Sequence, residues 1–240
     1  MSSDVRPEWL TGPMGQALLA SETAAVEEAL SQVFGLHLLQ IGSWGQPDQF
    51  IRFARTQRQA LVATDGVPGL SARSRPSRLG IASDSVDAVL LPHTLETDSQ
   101  PHEVLREVER VLVGEGHLIV IGFNPLSAWG ARHLALRRRF PRGTRQLIPE
   151  GRMRDWLSLL GMKVEPAIRC GHCAPVDQES VLNRLKWFER AGARYWPRLS
   201  GVYVLVARKR VYSVTAMRPQ WSRRPRVAGG LVEPTTRSAA

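Results

Sequence analysis

A histidine and a glutamate follow an apolar segment closely in this sequence. His93 and Glu96 come directly after residues 88–91, whose side chains are all apolar and predict a buried strand. Because ligands of open α/β sheets bind beyond the carboxyl ends of the strands, His93 could orient a substrate or take a proton from it. The alternative is a histidine that only caps the loop. Glu96 fits a role in fixing this loop better than a role in the chemistry.

A glycine-rich turn follows an earlier predicted strand, residues 36–41. Gly42 and Gly45 lack a Cβ atom, so a ligand can approach the main chain closely there. Asp65 ends a second predicted strand, and an acid at that place can accept hydrogen bonds from ribose hydroxyls. Gly66 follows at once, so Asp65 could also simply begin a turn.

The elements that must hold these residues show most clearly between residues 79 and 124. An amphipathic helix is predicted over 101–113, starting at Pro101 and ending near Gly114, between the apolar strands 88–91 and 118–121. A strand–helix–strand unit of this kind builds a parallel sheet. Periodicity and turn residues predict further helices over 14–35, 50–57, 149–161 and about 181–188, and further strands over 70–73, 162–170 with a break at Pro166, and 202–207.

This stretch resembles the second half of class I S-adenosylmethionine (SAM)-dependent methyltransferases, in the small-molecule branch that includes quinone-pathway methyltransferases. That branch carries LPF-x-D-x-SFD-xVxxxHxLEH, then a helix with LREIxRVLxPGG, and then a strand. The counterparts here occur in the same order and on the expected elements: Leu79, Asp84, Ser85, Asp87, His93, Leu95, Glu96, Leu105, Arg106, Glu107, Val108, Arg110, Val111, Leu112, Gly114 and Gly116.

The resemblance implies a fold, a cofactor and a set of site residues. The fold is a three-layer α/β sandwich with a mostly parallel, seven-strand sheet whose last strand is antiparallel. The cofactor is SAM, bound by Gly42, Gly45 and Asp65, and His93 would lie on the acceptor side. Two positions depart from the family pattern: Gln40 stands where an acid is usual, and Trp44 or Gln46 stands where another glycine is expected. The departures leave open a second interpretation, in which this loop is a turn without a ligand.

Composition sets the wider limits. The chain has 240 residues, a net charge of +10 and two cysteines, Cys170 and Cys173, on either side of His172. Four ligands are usual at a structural zinc site, so we predict no metal site there. We find no apolar run that could span a membrane and no signal segment, and we therefore expect a cytoplasmic protein. The positive charge is spread over several segments, so it fits either a solvated surface or attraction to nucleic acid or an anionic membrane face.

We predict three regions: an N-terminal helical entry segment (residues 1–35), a SAM-methyltransferase-like domain (36–212) and a disordered basic tail (213–240). After the fifth strand, Trp129 and the arginines that follow it could read a flat or anionic substrate, or form a solvated basic side of a helix. The expected function is transfer of a methyl group from SAM to an unidentified, small-molecule acceptor. The rival hypotheses are a catalytically inactive relative that serves as a binding protein, and a nucleic-acid-associated protein acting through its basic segments.

Overall fold

The computed structural model describes residues 8–64, 69–136, 140, 143–172, 175–176, 178, 192 and 194–211. Its strands are β1 (Phe34–Ile41), β2 (Arg55–Ala63), β3 (Ala72–Arg73), β4 (Val86–Pro92), β5 (Leu112–Phe123), β6 (Met162–Val164), β7 (Ile168–Cys170) and β8 (Val202–Lys209). Its α-helices are α1 (Pro13–Leu30), α2 (Thr94–Thr97), α3 (Pro101–Val111), α4 (Ala128–Ala135) and α5 (Glu150–Leu159).

The strands form one sheet in the order β3-β2-β1-β4-β5-β8-β6, and β7 also pairs with β8. The first five strands of this order are parallel, and β8 is antiparallel to β5, β6 and β7. The predicted mostly parallel α/β sheet with an antiparallel last strand is therefore confirmed. The strand predicted over residues 162–170 is split into β6 and β7 around Pro166, which has no N–H to give to a ladder. The described part of the sheet thus has eight strands rather than seven.

Helices cover both faces of this sheet. Successive residues of a strand point to opposite faces, so neighbouring residues pack against different helices. Leu38, Leu90 and Ile119 pack in the same cluster as the apolar residues of α1. Their neighbours Leu39, Leu91 and Val120 pack instead with the apolar residues of α3 and α5. Three layers result, as predicted. Among the described helices, none combines the length and the apolar character that a bilayer span requires.

Three predicted helix positions are wrong. Gly35 does not end the first helix: α1 stops at Leu30, and Gly35 lies inside β1. Gly114 likewise lies inside β5, because α3 ends at Val111. The predicted helix over residues 50–57 is absent, and only a short 3-10 turn, Ile51–Phe53, occurs there. Pairing in the sheet prevents this helix, because Arg55 pairs with Phe34 of β1 and its backbone therefore belongs to β2.

Several predictions fall outside the described residues. They concern Asp65, Cys173, the helix over about 181–188 and the tail over 213–240. The short strand predicted over 70–73 is present as β3, and the helix predicted over 149–161 is present as α5.

Candidate functional site

The glycine turn lies where β1 and β4, neighbours in the sheet, reach their carboxyl ends. The Gly42 N–H donates a hydrogen bond to the Val62 carbonyl of β2 (2.8 Å), and the Thr94 hydroxyl donates to the Ile41 carbonyl (2.5 Å). Gly42 has a φ of +90°, and a Cβ there would come within 2.6 Å of Thr94 Oγ1. A side chain at position 42 would therefore both strain the backbone and displace α2.

His93 is the centre of a buried polar cluster at this rim. Its side chain is 1% exposed, and its backbone φ of 54° lies in the left-handed region. Nδ1 lies 2.8 Å from Glu96 Oε2, and Nε2 lies 3.0 Å from Glu22 Oε1. Both ring nitrogens thus face a carboxylate, and a doubly protonated ring satisfies both.

The three groups of the cluster reach the rim from different elements. Glu22 comes from the middle of α1, whereas His93 and Glu96 belong to the turn after β4 and to α2. One oxygen of Glu96 also accepts a hydrogen bond from the Phe123 N–H (2.7 Å), and its carbonyl accepts from the Arg145 N–H (2.8 Å). Glu96 therefore fastens the end of β5 to the loop, which is the role that the sequence predicted for it.

The electrostatics of the cluster favour a charged imidazole. Burial lowers the pKa of His93, but the charges and hydrogen bonds of Glu22 and Glu96 outweigh it and raise this pKa to about 9. Burial also raises the pKa of Glu96, against the opposing effect of His93. At neutral pH this arrangement favours the imidazolium form of His93, which has no free ring nitrogen to act as a base while Glu22 is in place.

Trp44, which belongs to the glycine turn, covers one side of the cluster. Its indole N–H donates to Glu22 Oε2 (2.8 Å), so each oxygen of Glu22 accepts a hydrogen bond. The imidazole of His93 contacts two aromatic rings, with centroid distances of 4.3 Å to Trp44 and 4.2 Å to Phe123. The indole is 4% exposed, so it fills space at the rim rather than pointing into solvent.

The turn carries two features that suit SAM. Gly42 and Gly45, with φ values of +90° and +69°, hold a backbone conformation that a side chain would strain. Gln40 is completely buried, and its Nε2 donates to the Gly42 carbonyl (3.1 Å), whereas its Oε1 has no hydrogen-bond partner in the described part of the protein. A free acceptor beside a glycine turn fits the amino group of SAM.

The space over the turn, however, is filled by the protein's own side chains. A Cβ at Gly45 would lie 3.0 Å from Leu19 Cδ2 of α1, and the indole of Trp44 packs against both Glu22 and His93. The glycine positions and the buried amide therefore fit the cofactor chemically. A cofactor can reach them only if Trp44 and α1 move.

The structure brings Gly42, Gly45 and His93 together at one rim, as their predicted roles require, and Asp65 lies outside the described residues. Sequence reasoning missed Glu22. The signal available was its spacing: it stands three residues after Leu19 and four before Val26, on the apolar side of α1. Cys170 lies half-buried in β7, and among the described residues no group of three His, Cys, Asp or Glu side chains is arranged so that it could hold a metal ion.

Comparison with known proteins gives matches in sequence and in structure. Residues 48–120 match the family model described as "Methyltransferase domain". The YafS protein of Escherichia coli (strain K12) is 32% identical over 212 residues, which cover 86% of this chain and 82% of YafS.

Three solved structures illustrate the similarity in fold. A possible histamine N-methyltransferase of Thermotoga maritima, described as SAM-dependent, has a TM-score of 0.63 at 16% identity and covers 84% of this chain and 93% of its own. The SAM-dependent methyltransferase of Mesorhizobium loti has a TM-score of 0.57 at 16% identity, covering 83% and 100%. The [4+2]-cyclase SpnF has a TM-score of 0.58 at 20% identity, covering 82% and 83%.

These matches agree with the motifs between residues 79 and 116 and with the sheet order. SAM, the cofactor that the motifs implied, is the cofactor of the family in question. The chain belongs to the class I SAM-dependent methyltransferase family.

Proposed function

We propose that this protein transfers a methyl group from SAM to a small-molecule acceptor, and that α1 and Trp44 close its cofactor cleft in the present structure. The observation that carries the proposal is the buried cluster of Glu22, His93 and Glu96, each at most 1% exposed. Charged groups lose hydration when they are buried, and a protein that has apolar residues in their place is often at least as stable. Three buried ionisable groups at the rim where ligands bind are therefore not needed for the fold alone, and such groups are typical of functional sites.

Each residue of the rim has a defined part in this proposal. Gly42 and Gly45 let the cofactor approach the main chain, Gln40 accepts a hydrogen bond from it, and Asp65 accepts from its ribose. SAM supplies an electrophilic methyl group, and the protein's contribution is to hold the acceptor in line with it and to exclude water. Glu96 keeps His93 in place when α1 moves.

Movement of α1 changes what His93 can do. In the closed state Glu22 contributes to keeping the imidazole charged, because it raises the pKa of His93. When α1 carries Glu22 away, one of the two carboxylates is lost and the pKa of His93 falls. The ring then becomes able to accept a proton from the acceptor as the methyl group is transferred.

Calorimetry with SAM tests the proposal. We expect weak binding to the native protein, because closure must be undone first, and tighter binding to Trp44→Gly, which removes the indole from the cleft. Trp196→Gly is the control, since Trp196 is 54% exposed and lies on another segment. Failure of both the native protein and Trp44→Gly to bind at millimolar SAM would overturn the methyl-transfer proposal.

That outcome would favour the second candidate function, a protein that keeps the fold for binding without catalysis. The observation in its favour is the packing of Trp44, whose indole N–H and ring face are both engaged by the protein itself. In that case Trp44→Gly would weaken folding and gain no affinity for SAM.

A further inference from the structure

Helix α4 presents an apolar face to solvent. Trp129, Gly130 and His133 are buried on its inner side. The exposed residues of the helix and of its two flanks are all apolar, and we call them the α4 patch: Leu126, Ala128, Ala131, Leu134, Ala135 and Leu136. Leu126, on the flank of α4, and Leu134, in the helix, are 75% and 74% exposed, respectively, so two large apolar side chains face solvent close together.

A second apolar segment lies beside the start of α4. The side-chain amide of Asn124 donates to the carbonyls of Arg198 (2.8 Å) and Ser200 (2.9 Å). It thereby ties residues 195–199 to the turn that carries Leu126. In this segment Tyr195, Trp196 and Leu199 are exposed by 69%, 54% and 53%. The α4 patch therefore continues into a surface that also displays two aromatic side chains.

The charge along the chain through α4 has one sign. The sequence contains no Asp or Glu between residues 116 and 149, whereas the same stretch holds Arg132, Arg137, Arg138, Arg139, Arg142 and Arg145. Arg194 and Arg198 are exposed on the segment next to α4. Guanidinium groups bind phosphate oxygens well, and Trp and Tyr favour the boundary between lipid headgroups and acyl chains.

We propose that the α4 patch and residues 194–199 dock onto an anionic lipid bilayer, with α4 lying in the plane of the interface. Apolar side chains flanked by arginines have this character in interfacial helices. The exposed leucines favour an anionic bilayer over nucleic acid as the partner. Transfer of a leucine side chain from water into acyl chains is favourable, whereas contact with a phosphodiester backbone stabilises it little. The inference does not depend on methyl transfer.

Docking in this orientation would bring lipid close to the candidate site. Helix α4 follows β5, whose last residue, Phe123, packs against His93, and Trp129 of α4 stacks on Phe123 at 5.7 Å. The inner side of the helix thus belongs to the aromatic wall of the rim while its outer side faces the bilayer. An acceptor dissolved in the membrane would have a short path to the cleft.

Sedimentation of the full-length protein with vesicles tests the proposal. We expect binding to phosphatidylcholine vesicles that contain phosphatidylglycerol, weaker binding without it, and a steep loss of affinity as salt is added. Replacing both Leu126 and Leu134 by Gln should lower the affinity at least tenfold, because two large apolar side chains leave the acyl region. The matched control is Leu159→Gln, which alters a leucine that is 84% exposed on α5.

The charge component is tested separately. Arg198→Gln should lower the affinity severalfold, and Arg152→Gln, on the exposed side of α5, should leave it unchanged. Vesicle binding that the leucine pair does not change would overturn the proposal, because the basic segments alone would then account for it. Binding to single-stranded RNA with the same indifference to the leucines, and none to vesicles, would overturn it in favour of a nucleic-acid surface. Calorimetry with SAM is independent of all these outcomes.

Discussion

The rim formed by α1 and the glycine turn contrasts with the β4–α3–β5 unit beside it. In that unit Glu107 accepts from the Leu79 N–H (2.7 Å), and Arg110 donates to the Ile81 carbonyl (2.9 Å). These contacts explain the family motif there: the glutamate and arginine of α3 hold the loop that leads into β4. At the rim the family motif is broken, and Gln40 and Trp44 take part in contacts of this chain's own.

The difference teaches which parts of a domain local sequence can determine. The β4–α3–β5 unit depends on periodicity and on neighbours close along the chain, so its structure follows from the family pattern. The rim depends on a contact between Glu22 and His93, which are 71 residues apart. It is therefore where this chain differs from the family pattern, and where its specific function should lie.

The largest expected effect is at Glu22. Glu22→Ala leaves the Trp44 indole N–H and the His93 Nε2–H without an acceptor in a buried place. Two unsatisfied buried donors should cost about 3 kcal/mol of unfolding free energy, measured by urea denaturation. Glu28→Ala on the exposed side of the same helix is the control. Equal small losses in both variants would show that the rim is no more specific than the surface of α1.

The pH dependence of stability should be similar in size. The folded protein holds the His93 proton more tightly than the unfolded chain, because the pKa rises from 6.5 to about 9 on folding. This contribution is complete below pH 6.5 and is lost as the pH rises towards 9, up to about 3 kcal/mol in total.

Urea denaturation at a series of pH values measures this loss, and Glu22→Gln serves as the comparison. The variant keeps the shape of the side chain but not its charge, so the pKa of His93 should rise less and the stability should change less with pH. A native protein whose stability stayed level across this range would contradict the charged state assigned to His93.

Much of the fold could be predicted from the sequence. Val104, Leu105 and Val108 lie at helical spacing, and all three are buried in α3 as predicted. The helix predicted over residues 50–57 failed because pairing with β1 recruits Arg55 into β2, and local patterns do not show such pairing. The division of the chain at residues 35 and 212 stays a prediction.

The candidate site could be predicted only in part. The sequence predicted Gly42, Gly45 and His93 after strand ends, and they lie there in the structure, whereas their roles toward a ligand stay predictions. The cluster itself was not found, because the packing of α1 across the rim decides which of its residues meets His93. Trp44 stood out as a departure, but its hydrogen bond to Glu22 follows only from the three-dimensional arrangement.

A moderate loss of stability is expected at the glycine turn, and a second glycine outside it serves as the comparison. Gly42→Ala should cost about 2 kcal/mol, because an alanine at a φ of +90° is strained and its Cβ would come within 2.6 Å of Thr94 Oγ1. Gly80→Ala, in the loop before β4, should be close to neutral, since nothing lies within 4 Å of its added Cβ. Denaturation of both variants measures the difference, and equal losses would show that the glycine turn is not constrained.

The smallest effect should come from Glu107 in the β4–α3–β5 unit. The hydrogen bonds from Arg110, together with that from the Leu79 N–H, lower the pKa of Glu107 although its burial opposes this. Its partner Arg110 is 36% exposed, so solvent screens the pair, and Glu107→Ala should cost about 1 kcal/mol. Glu103→Ala, whose partner Arg106 is 68% exposed, should cost less and is the control. A loss at Glu107 as large as that at Glu22 would remove the difference between the two regions, because the motif loop would then be held as firmly as the rim.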